Sequence, residues 1–203
     1  MRVIARVWLV LLSIIMLSAC TIPGRPITKP EIFSEEDIVR APSTDSIPEG
    51  ADPEHCPFGL NCFHDFETGL AYAKKVNKPI MLDFTGWGCV NCRKMEELVW
   101  SDHRILDILQ NELVLISLYV DDRTALPPLE QFTSEITGMR VQTIGKKWSN
   151  FQVEHYQANS QPYYVIIGHD KMEPINGVYN YSPDVKAYFI WLKEGIWQFE
   201  KEQ

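Results

Sequence analysis

An α/β layered domain behind a long N-terminal extension is the fold class that the sequence predicts. Two observations lead there. From Phe63 onward, short apolar runs alternate with segments of helical periodicity. Before them lies a stretch rich in proline and acid with no apolar period. The 203 residues are 45% hydrophobic and 23% charged, which suits a folded soluble domain and argues against a mostly disordered chain. One domain is the default at this length, with residues to spare for a tail. A net charge of -8 argues against a nucleic-acid binder. No second long apolar run suggests a polytopic membrane protein.

The elements follow in order. Residues 65–76 place Phe66, Leu70 and Ala73 on one helical face, and Pro79 stops the helix. Residues 79–85 form an apolar strand. Residues 89–100 read as a helix with Met95, Leu98 and Val99 turned to the core. Ser101 caps a short helix over 102–111, and residues 113–120 make a strong buried strand. Residues 121–145, with Pro127-Pro128 and little period, read as an inserted loop. Trp148, Phe151 and Val153 restore a helix over 146–157. Pro162 opens a strand over 163–168, a turn at His169-Asp170-Lys171 follows, and a last strand lies near 175–179. Ser182-Pro183 caps a final helix that ends near Glu194-Gly195.

The N-terminus reads as a targeting segment. Arg2 and Arg6 are the only charges in the first 24 residues, and VWLVLLSIIMLSA lies between Arg6 and Cys20. A basic start and a short apolar core mark a secretion signal, too short for a comfortable bilayer span of ~20 residues. An uncleaved anchor is the alternative. Leu17-Ser18-Ala19-Cys20 resembles the lipobox of bacterial lipoproteins, which implies cleavage before Cys20 and acylation of it. Residues 21–54 hold six of the 13 prolines and eight of the 27 acids against three basic residues. Such a stretch buries too little to offset its ordering entropy. We therefore expect residues 1–19 as a lipoprotein signal peptide, 20–54 as lipidated Cys and flexible linker, and 55–203 as the folded domain.

The chemistry lies in Leu82-Asp-Phe-Thr-Gly-Trp-Gly-Cys-Val-Asn-Cys-Arg-Lys-Met-Glu-Glu97. Cys89-x-x-Cys92 stands between an apolar strand and the start of a helix, the context that makes a CxxC informative. Free N–H groups and the positive end of the helix favour a thiolate at the first cysteine. A three-residue offset returns the second sulfur to the first, so one thiol attacks and the other resolves. Half of a zinc site or an inert disulfide are the competing explanations. A zinc ribbon wants a second CxxC, whereas Cys56-x5-Cys62 has the wrong spacing. Export favours redox chemistry.

This stretch resembles the thioredoxin superfamily, and most closely the C-terminal thioredoxin-like domain of DsbD-type thiol:disulfide interchange proteins. WGCVNCRKME is similar to that domain's active-site pattern, with Trp87 displaced by one residue through Gly88. The resemblance implies a thioredoxin-like fold, a central mixed β-sheet flanked by helices. It implies that Cys89 is the exposed nucleophile and Cys92 the resolving thiol. It makes Asp83 a buried carboxylate near the site and Glu96 a second acid there, although a strand-end residue and a solvated helix face are the plain alternatives. It makes Pro162, after Gln161, a cis-proline bordering the substrate groove, and Trp87 a screen over the sulfurs, where a plain core aromatic is the alternative. The insertion at 121–145 departs from the compact pattern.

Cys56 and Cys62 close a small loop at the linker–domain junction. A structural disulfide is expected, with a second redox relay and a metal or free-thiol role as alternatives. His55, His64, His103, His155 and His169 form no i,i+4 metal pair. No metal or cofactor is expected. The expected function is a periplasmic disulfide reductase, lipid-anchored to the cell membrane or outer membrane. Its expected partners are exported disulfide-containing proteins and a membrane thiol electron donor. A disulfide oxidase or isomerase, or a non-catalytic binding module, is the alternative. If the lipobox is processed, Cys20→Ala yields a soluble or unprocessed protein, and intact-mass analysis of the wild type finds acyl chains on Cys20. An unlipidated wild type would remove the anchor.

Overall fold

The computed structural model describes residues 47–203. The signal segment, Cys20 and most of the tether lie outside the described residues. Among the described residues no helix is long and apolar enough to cross a membrane.

A five-stranded mixed sheet organises the domain. Its strands are β1 (Cys62–Phe63), β2 (Ile80–Thr85), β3 (Val114–Tyr119), β6 (Tyr163–Ile167) and β7 (Val178–Asn180), in the order β1-β3-β2-β6-β7. A two-stranded hairpin, β4 (Phe132–Thr133) and β5 (Arg140–Val141), stands apart. The helices are α1 (Phe66–Val76), α2 (Val90–Met95), α3 (His103–Asn111), α4 (Ile144–Tyr156) and α5 (Val185–Lys201). β3 runs parallel to both β1 and β2, while β6 runs antiparallel to β2 and β7. Helices thus cover a mixed sheet, as the resemblance implies.

Side chains alternate across a strand with period two, and here the alternation divides the core. Ile80, Leu82 and Phe84 of β2, with Val114, Ile116 and Leu118 of β3, pack with Phe66, Ala73 and Trp148 on the α1/α4 side. Met81, Leu115, Tyr164 and Ile166 pack with Met95, Trp100, Ile105, Leu109, Tyr188 and Leu192 on the α2/α3/α5 side. β2 and β3 are buried on both faces, which is why they read as continuous apolar runs. Asp83 and Ser117 take odd positions in this alternation, with Met81 and Leu115. Both therefore face the α2 side.

Helix ends follow their caps. Asp65 accepts from the Thr68 N–H at 3.0 Å, and α1 ends at Asn77 with φ 51°. Asp102, rather than Ser101, caps α3 by accepting from the Arg104 N–H. The Ser101 hydroxyl instead donates to the Glu97 carbonyl at 2.7 Å. After Met95 the chain widens into a π-turn, Glu96–Trp100. The wider turn shifts the buried stripe to Val99 and Trp100 and leaves Leu98 52% exposed, contrary to its expected core role.

Other boundaries also moved. Thr143 caps α4, which starts at Ile144. β7 sits at 178–180 instead of 175–179. α5 runs through Gly195 to Lys201, with Ile196 and Phe199 buried. Gly195 is no stop signal: a Cβ there would lie 2.5 Å from Ile166 Cδ1, so it permits close helix–sheet approach. The strand β1 was not anticipated. Residues 121–145, expected as a loop, contain the β4–β5 hairpin, an Ala125–Thr143 bridge and buried Leu126, Ser134 and Val141. Part of the stretch expected as linker packs on the domain: the Asp52 N–H donates to the Cys62 carbonyl at 2.8 Å, and Ala51 joins the α1-side core.

Gly145 fastens the insertion to the sheet. A Cβ there would meet Asp122 N at 2.5 Å, Val120 O at 2.6 Å and Asp122 O at 2.7 Å, all backbone atoms that cannot rotate away. Gly145→Ala should lose about 1–3 kcal/mol in urea unfolding. Gly168→Ala, with open space around the new carbon, should stay within about 0.5 kcal/mol. Equal stability of the two variants would refute this tight contact.

Candidate active site

The end of β2 delivers the chain into Gly86-Trp87-Gly88 and then into α2, with Cys89 as the N-cap. Cys89 and Cys92 form a disulfide with Cα atoms 5.3 Å apart. The Cys92 N–H donates to Cys89 Sγ at 3.1 Å. Cys89 is partly exposed, whereas Cys92 is 1% exposed. This asymmetry follows from the helix: the N-cap lies at the surface and the residue three on turns inward. A cleft of about 440 Å³ opens beside Cys89, lined by Gly86, Gly88, Val90, Asn91, Val120, Asp121 and Gln161.

Two acids sit on the inner side. Asp83 is 3% exposed, and the Ser117 hydroxyl donates to it at 3.1 Å. Parallel pairing sets Asp83 opposite Ser117. Burial, with the nearby Glu96 charge, pushes Asp83 up to about 7, against the Ser117 hydrogen bond and Arg93. Burial also pushes Glu96 up to about 7, while Arg93 opposes the shift. Arg93 Nη2 lies 2.8 Å from Glu96 Oε1 and donates to Thr85 Oγ1 at 3.1 Å. Glu96 is therefore an ion-paired, largely buried acid, and no solvated helix-face residue. The two acids are brought together from β2 and the π-turn. Both titrate near neutrality, the range suited to proton transfer with a thiol.

Trp87 is 55% exposed, so it is no core aromatic. Its ring stacks on Tyr119 with centroids 4.0 Å apart and meets His55 edge-on at 6.4 Å. It does not line the cleft. The Gln161–Pro162 peptide is cis. Gln161 reaches the cleft and donates to Gln152 Oε1 at 3.0 Å, and Gln152 donates to the Ser160 carbonyl. Pro162 itself is buried.

Cys56 and Cys62 form a second disulfide, with Cα atoms 6.0 Å apart. Cys56, Leu60 and Cys62 are buried in the α2-side core. The residues flanking this loop reach Tyr119: the Tyr119 hydroxyl donates to the His55 carbonyl at 3.3 Å, and His64 lies edge-on to Tyr119 at 5.4 Å. His64 Nδ1–H donates to the Ser117 carbonyl at 3.0 Å. Among the described residues no group of three or more His, Cys, Asp or Glu is placed to hold a metal.

Sequence reasoning missed Ser117, Tyr119, Asp121 and Gln152. Asp121 accepts from the Trp87 N–H and the Gly88 N–H, each at 2.9 Å. One signal was available. β2 and β3 are parallel neighbours, so the residues just past their ends, Gly-Trp-Gly and Val-Asp, must lie side by side.

Fold and site define a thioredoxin-fold protein in which a Cys89–Cys92 disulfide stands at the start of a helix. Comparison with known proteins agrees. Residues 61–137 match a family model described as thioredoxin-like. The thiol:disulfide interchange protein DsbD of Salmonella typhi is 30% identical over 111 residues, 54% of this chain and 17% of that protein. DsbD of Campylobacter jejuni strain RM1221 is 38% identical over 56 residues, 27% of this chain and 10% of that protein. This chain thus matches less than a fifth of the length of these relatives. The solved DsbH oxidoreductase superposes with TM-score 0.50 at 16% identity, covering 80% of this chain and 98% of that one. The domain thus has a thioredoxin-like fold and is similar, over part of its length, to the thiol:disulfide interchange proteins DsbD.

The buried acids also shape stability. Folding raises both values above those of the unfolded chain, so it favours the protonated forms. Their stabilising contribution is complete below about pH 4 and is lost as pH rises through about 7. Asp83→Asn should remove part of this loss. In urea unfolding with both disulfides intact, the variant should match the wild type near pH 4 and exceed it at pH 8, on the order of a few kcal/mol. Parallel stability–pH curves would contradict the burial of an ionisable Asp83.

Proposed function

We propose that the chain is a lipid-anchored periplasmic thiol–disulfide oxidoreductase working as a disulfide reductase. The observation that carries this is the asymmetric pair, an accessible Cys89 and a buried Cys92, joined to acids that titrate near neutrality. The DsbD relatives, named as thiol:disulfide interchange proteins, support the same chemistry.

In the reduced form, the Cys89 thiolate attacks one sulfur of a partner disulfide. A mixed disulfide forms, and the partner's other sulfur leaves as a thiolate that takes up a proton. Cys92 then gives its proton toward the Asp83–Glu96 pair and attacks Cys89 Sγ. The mixed disulfide breaks, the partner's second sulfur leaves and is protonated, and Cys89–Cys92 is oxidised. Two electrons have passed to the partner. A membrane thiol donor restores the dithiol by the same exchange in reverse. Exported proteins with disulfides are the proposed acceptors. Gln161 and Pro162 border the docking groove, and Trp87 shields the flank that Tyr119 and His55 support. The Cys56–Cys62 bridge acts as a structural staple, worth roughly 2 kcal/mol in the chain-entropy model.

Cys92→Ser should accumulate partners bonded to Cys89, seen by non-reducing electrophoresis and mass spectrometry. Cys89→Ser should trap nothing and lose insulin reduction. Adducts on Cys92 at comparable yield would reverse the roles. No adducts in either variant, with no insulin reduction by the wild type, would favour a binding module. A reduction potential near about -270 mV supports a reductase, and one near about -120 mV an oxidase. Asp83→Asn should slow resolution ~100-fold.

A further inference from the structure

We infer that Asp121 is a positioning residue for the redox pair. Its carboxylate clamps the loop ahead of Cys89, and its charge holds the pair toward the reducing side. This rests on the assignment of Cys89–Cys92 as the exchanging pair.

The clamp is two-pronged. Oδ1 accepts from the Trp87 N–H and Oδ2 from the Gly88 N–H, both at 2.9 Å. Space for it is made by Gly86: a Cβ there would lie 3.0 Å from Asp121 Cγ and Oδ2 and 3.1 Å from Oδ1. The Cys89 N–H donates to the Gly86 carbonyl at 3.1 Å and closes the turn. Asp121 is held from behind. The Val120 N–H donates to the Thr85 carbonyl at 3.0 Å, and Gly145 packs against the backbone of Val120 and Asp122. Asp121 and Cys89 line the same cleft.

Two consequences follow for Cys89. The N–H groups of the two residues before it are already taken, so they do not turn to stabilise its thiolate. The Asp121 carboxylate lines the same cleft as Cys89, where its negative charge opposes a second anion. Both effects make Cys89 less acidic than an unopposed helix N-terminus would. A less stable thiolate means a less stable dithiol form, hence a disulfide that is harder to reduce and a dithiol that is a stronger reductant. Other charged groups near the pair include Asp83 of β2, Arg93 of α2 and Glu96 of the π-turn, with Lys94 exposed on α2 and His55 beside Trp87. All stay constant across the variants below, so differences report Asp121.

The test uses the full chain in detergent. One measurement is the pH dependence of Cys89 alkylation by iodoacetamide in the reduced protein. The other is the equilibrium of the pair with glutathione buffers. Asp121→Asn should move the alkylation midpoint at least half a unit to lower pH and shift the equilibrium at least threefold toward the dithiol. Asp121→Glu, which keeps the charge, should recover most of both. Gly86→Ala displaces the carboxylate without removing it and should move both readouts the same way but less, with a non-additive double variant. It also serves if Asp121→Asn does not fold. A purely structural Asp121 would lower thermal stability and leave midpoint and equilibrium unchanged, and that outcome overturns the inference. The midpoint is measurable whether or not the protein turns over. A wild type inert toward insulin would therefore refute the reductase and leave the clamp to be judged by the midpoint.

Discussion

The parallel pairing of β2 with β3 is the constraint on which the site depends. Six consecutive residue pairs, from Ile80 opposite Val114 to Thr85 opposite Tyr119, hold the two strands in one register. That register sets Asp83 beside Ser117, whose hydroxyl is its hydrogen-bond donor. It brings the strand ends out together, so that Gly86-Trp87-Gly88 meets Val120-Asp121. A slip of one residue would turn Asp83 to the α1 side and separate it from the acid and guanidinium of the α2 side. The chemistry therefore rests on an ordinary ladder of backbone hydrogen bonds.

Around that ladder, stability and the proposed proton transfer pull in opposite directions. Each unit by which a buried carboxyl is raised represents about 1.4 kcal/mol of preference for the neutral form. At neutral pH the Asp83–Glu96 pair is thus partly ionised in a place that resists ionisation. Arg93 softens the strain by pairing with Glu96 and binding Thr85. The rest of the core compensates with dense aromatic packing, as where the Trp100 Nε1–H donates to the Tyr188 hydroxyl at 3.1 Å and Tyr164 lies edge-on to Tyr188. A group kept near its titration point inside a rigid shell is prepared for proton transfer without reorganisation.

The second disulfide joins this arrangement from the side. His55, just before its loop, meets the edge of Trp87 and offers its carbonyl to Tyr119, and Tyr119 carries the stacked indole. Trp87 is thereby held on one flank while the cleft beside Cys89 stays open. In the same way the insertion, although irregular in sequence, is anchored by Leu126, Val141 and Gly145 and presents Asp121 at the cleft wall.

The sequence by itself determined the parts whose signal is local. Apolar runs marked β2, β3 and β6. The strand–CxxC–helix order located Cys89 and Cys92 at the start of a helix, and resemblance ranked Cys89 as outer and Cys92 as inner. Resemblance added Asp83, Glu96 and Pro162. Tertiary structure decided what depends on distant segments meeting. Leu98 left the core because the π-turn widened the helix. Gly195 stayed inside α5 because Ile166 packs against it. Asp121, 34 residues beyond Trp87, became part of the site because two parallel strands end side by side. Such partners carry no periodicity and no motif. Their roles arise only when the sheet register brings a carboxylate within hydrogen-bonding distance of two backbone N–H groups.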